Sequence, residues 1–261
     1  MNRAMYAVMK KDFRGIISNR RLFLELLIVP LILTIVLPSI FVVAIHFAPD
    51  DPDILKMLEL LPQGSRTGGV EMAVTGLILN YILPVFFLMI PIMTASIMAA
   101  SSFVGEKEKY TLETLLYCPL SVKQIFQAKV LASFLFSMMV ALISFAAMMI
   151  VLEMEAFFIM DRLIMPAAGW IVILCLLSPS ISLITVTLIV RGSAKAQSVE
   201  ESQQGAVFLI VPLILLAAGQ FAGVMLLNVW ILLGLGVLCA LLAWVLLQKA
   251  VGRFTYEMLL K

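Results

Sequence analysis

Long apolar runs separated by short charged segments dominate the chain, and their lengths set its architecture. A helix crosses the hydrocarbon core of a bilayer with roughly 20 mostly apolar residues. The first such run, Leu26 to Phe47, follows Glu25 and carries Pro30 and Pro38. A second is uncharged from Met72 to Gly105 and contains Asn80, Pro84 and Pro91. Val130 to Leu152 and Leu163 to Val190 form the third and fourth. No charge interrupts Ser202 to Gln248. As a helix rising ~1.5 Å per residue, that stretch reaches about 70 Å, enough for two crossings and a tight hairpin with Asn228 near its tip. The pattern predicts an all-α polytopic integral membrane protein with six transmembrane helices, near residues 22–47, 76–104, 129–152, 166–190, 207–227 and 229–248. A single transmembrane domain then takes in residues 1–261.

Two polar segments have a pattern of their own. Ahead of the first span, Met5, Val8, Met9, Phe13, Ile16 and Ile17 recur on one helical stripe, while Lys10, Lys11, Arg14 and Arg21 fill the rest. This predicts an N-terminal interfacial amphipathic helix over residues 1–21. Met5, Met9, Phe13 and Ile16 are expected in the acyl chains and the cations beside lipid phosphates. Between the second and third spans, Gly105 to Ser121 opens with alternating charge and then places Leu112, Leu115 and Leu116 on one face. Cys118-Pro119 stops that helix. Ser121-Val-Lys-Gln124 is a capping box that launches the next one. A mere connection needs only a few residues and no apolar stripe, so a helix about residues 105–118 reads as a docking surface for another protein.

Composition excludes a soluble fold. Hydrophobic residues make up 63% and charged residues 13%, against roughly 45–50% and about 25% in globular proteins. With both termini in the cytoplasm, all of the 18 basic residues except Lys56, Arg66 and Arg162 fall in inner segments, as the positive-inside rule requires. The N-terminus lacks the apolar run and cleavage site of a removable signal peptide. A net charge of +2, with no basic cluster interleaved with aromatics, predicts no nucleic-acid partner. Cys118, Cys175 and Cys239 are an odd set and read as packing residues.

Candidate chemistry is sparse. The outer loop holds Asp50, Asp51, Asp53, Glu59 and Glu71 without the spacing of a calcium loop. His46, the single histidine, has no evident partner in the sequence. No acid or base lies deep in a predicted span, and Glu25 sits near the inner boundary. That pattern disfavours an ion-coupled secondary transporter, and the lack of a clustered nucleophile, histidine or acid disfavours a membrane-embedded enzyme. Both stand as the alternative readings. Asn80, Ser178, Ser180, Ser182, Thr185, Thr187 and Gln220 are expected to make interhelical hydrogen bonds. No catalytic, cofactor-binding or metal-binding residues are expected.

The run Glu106-Lys-Glu108, Thr111-Leu-Glu113, Leu115-Leu116, Pro119-Leu-Ser121 resembles the loop signature of ABC-2 type transporter permeases. Tyr110 departs from it, standing where glycine is common. The resemblance implies that Glu106, Glu108, Thr111, Leu112, Glu113, Leu115, Leu116 and Pro119 belong to a cytoplasmic coupling helix that docks on an ATPase subunit. It further implies an exporter in the cell membrane, built with two ATPase copies and a second permease copy or paralogue. ATP and Mg then belong to the partner, with no cofactor in this chain. In agreement, Gly64 and Gly69 have the glycine spacing of a phosphate-binding loop but are followed by Val70-Glu71 rather than Lys and Ser or Thr. By the same resemblance, a re-entrant segment is expected between Gly219 and Asn228.

Overall fold

The computed structural model describes residues 3–48, 51–52, 54, 56, 69–109, 111, 120–161, 163–193, 196–221 and 228–253. The fold is all-α, 91% helical, with no strand among the described residues. Helix α1 is Arg3–Ser18. Residues 20–47 form α2, Val70–Glu108 α3, Val122–Met160 α4 and Gly169–Ser193 α5. Residues 199–221 form α6 and Val229–Arg253 form α7. Five of these, α3 to α7, are long and apolar enough to cross a membrane, and α2 contributes the shorter apolar stretch Ile32–Phe47.

Helix ends follow local chemistry. Asn19 separates α1 from α2, and its side-chain oxygen accepts the amides of Arg21 at 3.2 Å and Leu22 at 3.5 Å, capping donors that would otherwise lack partners. The capping box at Ser121 and Gln124 forms as the sequence predicts. Helix α4 then runs 39 residues, which at ~1.5 Å per residue is about 58 Å and exceeds a hydrocarbon core of ~30 Å. Val229 receives its cap from the Asn228 side chain at 2.6 Å.

Three helices share one irregularity. Wide π turns occupy Ile32–Val36, Ile78–Ile82 and Ile173–Leu177, and each ends two residues before Pro38, Pro84 or Pro179. A proline ring clashes with the carbonyl one turn back and brings no amide to bond it, so widening the turn relieves the crowding. In α3 the amide of Leu83 reaches back to the Ile78 carbonyl. Continued in that register, the carbonyl of Leu79 would face Pro84, which has no N–H. The indole N–H of Trp170 takes that place, donating to the Leu79 carbonyl at 3.1 Å. Trp170 is 2% exposed and packs edge-on against Phe87, with Phe145 beside it. One side chain thus satisfies an orphaned buried carbonyl and joins α3, α4 and α5.

Helix α3 is the central member. Its apolar window is 83% buried, against 33% for α4, 22% for α6 and 17% for α7. Mid-way along it, the Ser137 hydroxyl of α4 donates to the Pro91 carbonyl at 3.0 Å and lies 3.1 Å from Thr94. Helix α7 packs on α5 so closely that a Cβ on Gly236 would stand 2.6 Å from a methyl of Leu176. The outward faces of α4, α6 and α7 carry Leu142, Ile143, Phe208, Leu215, Leu238 and Trp244, a surface suited to lipid and not to water.

Candidate functional site

The Glu108 end of α3 and the Val122 end of α4, with α1 across them, gather the buried charges of the described residues. Lys129, two turns into α4, is 2% exposed. Its ammonium donates to the Ser102 carbonyl and, at 3.2 Å, to the Ser102 hydroxyl. It also lies 2.7 Å from Glu106 Oε2 and 4.0 Å from Asp12 Oδ2. Ser102 passes the interaction on, donating to Asp12 at 2.6 Å. Glu106 pairs through its other oxygen with Lys11. Asp12, Glu106 and Lys129 are buried together, and the half-exposed Lys11 supplies the second positive charge from the edge of the cluster, so the buried charges are paired as their desolvation requires. Burial raises the Asp12 carboxyl above its ordinary value; Lys129 and the Ser102 hydroxyl pull it back, and Glu106 adds to the rise.

Helix α1 forms where the sequence predicts it, but its apolar stripe has a different partner. Met9 and Ile16 are buried, Met5 and Phe13 are half-buried, and all four pack with Ile97, Met98, Ile125, Ala128, Ala132 and Phe136 of α3 and α4. The Phe13 and Phe136 rings meet edge to face at 5.2 Å. Protein, rather than acyl chain, covers the stripe. Tyr6, Lys10, Arg14 and Ile17 lie on the exposed side.

The expected docking residues divide. Glu106 and Glu108 belong to the last turn of α3, not to a separate helix beginning at Gly105. Glu106 is buried in the charge cluster instead of facing the cytosol, because Lys129 supplies the counter-charge that water would otherwise provide. Glu108 is exposed, and its carboxylate accepts the amide of Val199 at 3.0 Å. Thr111 is exposed beyond the helix end, its amide bonded to the Glu106 carbonyl at 3.0 Å. Leu112, Glu113, Leu115, Leu116 and Pro119 lie outside the described residues, as do residues 222–227 of the expected re-entrant segment.

Around this cluster the surface is hollowed. A cavity of 440 Å³ lies between α1 and α3, lined in part by Lys11, Gly15, Asn19, Ser101, Lys109 and Thr111. A neighbouring one of 390 Å³ reaches α6 past Arg21, Glu108 and Glu200. Among the described residues no group of histidine, cysteine or acid side chains could hold a metal ion.

Comparison with known families resolves what kind of membrane protein carries this arrangement. A family model described as ABC-2 family transporter protein matches residues 6–245. The chain belongs to the ABC-2 transporter family. It is an ABC-2 type permease and a multi-pass membrane protein. No match was found among curated proteins or solved structures. In this ABC-2 permease the sequence signature that suggested the family straddles the end of α3, so its first acid, Glu106, is a structural member of the buried cluster. The cluster itself escaped the sequence reading, although Asp12 interrupting an apolar stripe is a visible sign that a base faces that stripe.

Proposed function

We propose that the chain is the membrane subunit of an ABC exporter, moving a substrate out of the cytoplasm with energy from a separate ATPase subunit. In this reading α2 completes a set of six spans, and both termini face the cytoplasm across the cell membrane. Two copies of the ATPase carry ATP and Mg, and two permease chains, identical or paralogous, enclose the path. This chain hydrolyses no ATP. Family membership carries the reading. The segment between Glu108 and Ser121 supports it: both stems are fastened to buried parts of the fold, as suits an element that receives a push from below. Only a contact that differs between ATPase states transmits work, so the docking face must sit on such a segment.

The buried charges do not favour an ion-coupled transporter. They balance with Lys11 at the exposed edge of the cluster and gather at one end of the helices, whereas a relay needs ionisable groups across the membrane. Co-expression with candidate ATPases, recovery of a complex and ATP-dependent accumulation in inverted vesicles test the reading. A chain that transports as well without ATPase as with it refutes the reading. Impermeant labelling of single cysteines at Asp51, Asp161 and Glu200 tests the topology; the first two should react from outside and the last from inside.

A further inference from the structure

We propose that Lys129 is a positioning residue for energy coupling: with Glu106 it staples the two stems of the 109–121 loop together and fastens α1 to them. A push on that loop then moves the inner ends of α1, α3 and α4 as one block. This rests on the reading of the loop as the ATPase dock.

The loop leaves α3 after Glu108 and enters α4 at Ser121. Glu106 stands half a turn before the exit and Lys129 two turns beyond the entry. An ammonium has three protons to place. Ser102 of α3 supplies two acceptors, its carbonyl and its hydroxyl at 3.2 Å, and Glu106 Oε2 of the same helix stands 2.7 Å away as the ion-pair partner. Phe103 of α3 adds its ring face 5.3 Å from the same nitrogen. All of these belong to a helix other than the lysine's own.

Charge parity then says which joint holds and which can open. Glu106 of α3 and Lys129 of α4 are opposite charges, so separating those helices strands one buried charge on each side. Helix α1 brings one base and one acid, Lys11 and Asp12. Its departure removes both signs together and leaves Glu106 matched to Lys129. The α3–α4 contact is therefore the permanent joint and α1 the element that can be released. An apolar pair of similar volume would hold the helices as well or better, so stability alone does not explain charges here. What charges add is a single permitted register between the stems.

The test replaces the pair by neutral near-isosteres, Lys129→Met with Glu106→Gln, so that neither member of the pair is left as a buried charge without the other. In a background lacking Cys118, Cys175 and Cys239, spin labels at Lys107→Cys and Lys123→Cys report the spacing of the stems in nanodiscs. The parent should give one narrow distance and the double variant a distribution at least twice as wide, with unchanged elution as a folded chain. In complex with the ATPase, ATP plus vanadate should shift the separation of labels at Ala48→Cys and Asp161→Cys in the parent. That shift should fall to less than a third in the double variant at equal ATPase recovery. Narrow stem distances in the double variant overturn the proposal, and so does a full nucleotide-driven shift. If the parent itself recovers no ATPase, the docking reading fails, while the stem distances still decide whether the staple exists.

Discussion

Ile16 and Ile17 are neighbours of identical chemistry with opposite surroundings, and they separate two accounts of α1. Ile16 is 2% exposed against α3 and α4, whereas Ile17 is 55% exposed. Truncation to alanine removes three carbons in each case. At about 0.8 kcal/mol per buried CH₂ the loss at Ile16 is about 2.4 kcal/mol, and a residual cavity carries it toward the upper part of the ~2–5 kcal/mol range of such changes. At Ile17 most of that area is already outside the protein, and a surface change of about 0.5 kcal/mol or less is expected. Since about 1.4 kcal/mol is a factor of ten in an equilibrium, Ile16→Ala should raise the opening of α1 about fiftyfold or more. Hydrogen exchange of α1 amides in nanodiscs, compared with amides of α5 as an internal standard, measures this directly. Faster exchange by that factor for Ile16→Ala, with little change for Ile17→Ala, places the stripe on protein. Equal effects of the two changes, or a larger one at Ile17, would mean that lipid and not α4 holds the helix.

Three further outcomes are expected. The docked state holds the Asp12 proton more tightly than a free helix does, because burial raises that carboxyl above its ordinary value. Asp12 therefore favours docking most below the ordinary carboxylate range, and this contribution is lost as pH rises through the raised value. Asp12→Asn should flatten the pH dependence of α1 exchange above the ordinary carboxylate range and leave α1 at least as firmly docked near neutrality; a steeper dependence in the variant contradicts this. Trp170→Phe keeps the ring packing but orphans the Leu79 carbonyl, at a cost of about 1–3 kcal/mol read as a lower thermal midpoint, and an unchanged midpoint would show that the carbonyl has another donor. Leu115→Asp should abolish recovery of the ATPase with insertion intact, whereas Glu108→Gln, whose amide oxygen can still accept from Val199, should weaken it slightly; full recovery with Leu115→Asp removes the loop from the docking role.

Much of the fold was legible because the bilayer imposes it. Runs that must satisfy their own backbone in lipid announce themselves by length, so five of the expected spans coincide with helices long and apolar enough to cross a membrane. The capping box at Ser121 was read in advance because both partners are local. What sequence could not supply was the identity of a burying surface. The period of Met5, Met9, Phe13 and Ile16 shows which face of α1 is covered and is silent on whether lipid or protein covers it. The same limit hid the charge cluster. Glu106 stands in an alternating run that reads as solvated, and Lys129 reads as one more inner-side charge setting topology. Their pairing depends on α3 continuing past Gly105 and on α4 running beside it, contacts 23 residues apart in sequence that no local pattern encodes. Two signs were nonetheless present: Asp12 within an apolar stripe, and Lys129 on the Ile125, Ala128, Ala132 and Phe136 face of its helix.

Prolines in the apolar runs were equally visible and equally incomplete as information. Pro38, Pro84 and Pro179 each follow a π turn, so α2, α3 and α5 carry a weakened point where one backbone amide is missing. In α3 that point ends at Ile82, 24 residues before Glu106, or about 36 Å at ~1.5 Å per residue. A helix stapled by buried charge at one end and widened at the other has its stiffness and its compliance at opposite sides of the bilayer. Under the proposed coupling, displacement applied at the Glu106 end would travel along the turns of Met89–Glu108 and be absorbed where the hydrogen-bond ladder is already broken. Trp170 sets how freely that point yields, since its indole N–H is bonded to the Leu79 carbonyl just where the ladder is interrupted. Loosening the outer end through Trp170 and loosening the inner end through Lys129 should therefore differ in kind. In the proposed exporter, the first should let the outer ends move without any push from the ATPase, and the second should let the ATPase push without moving the outer ends.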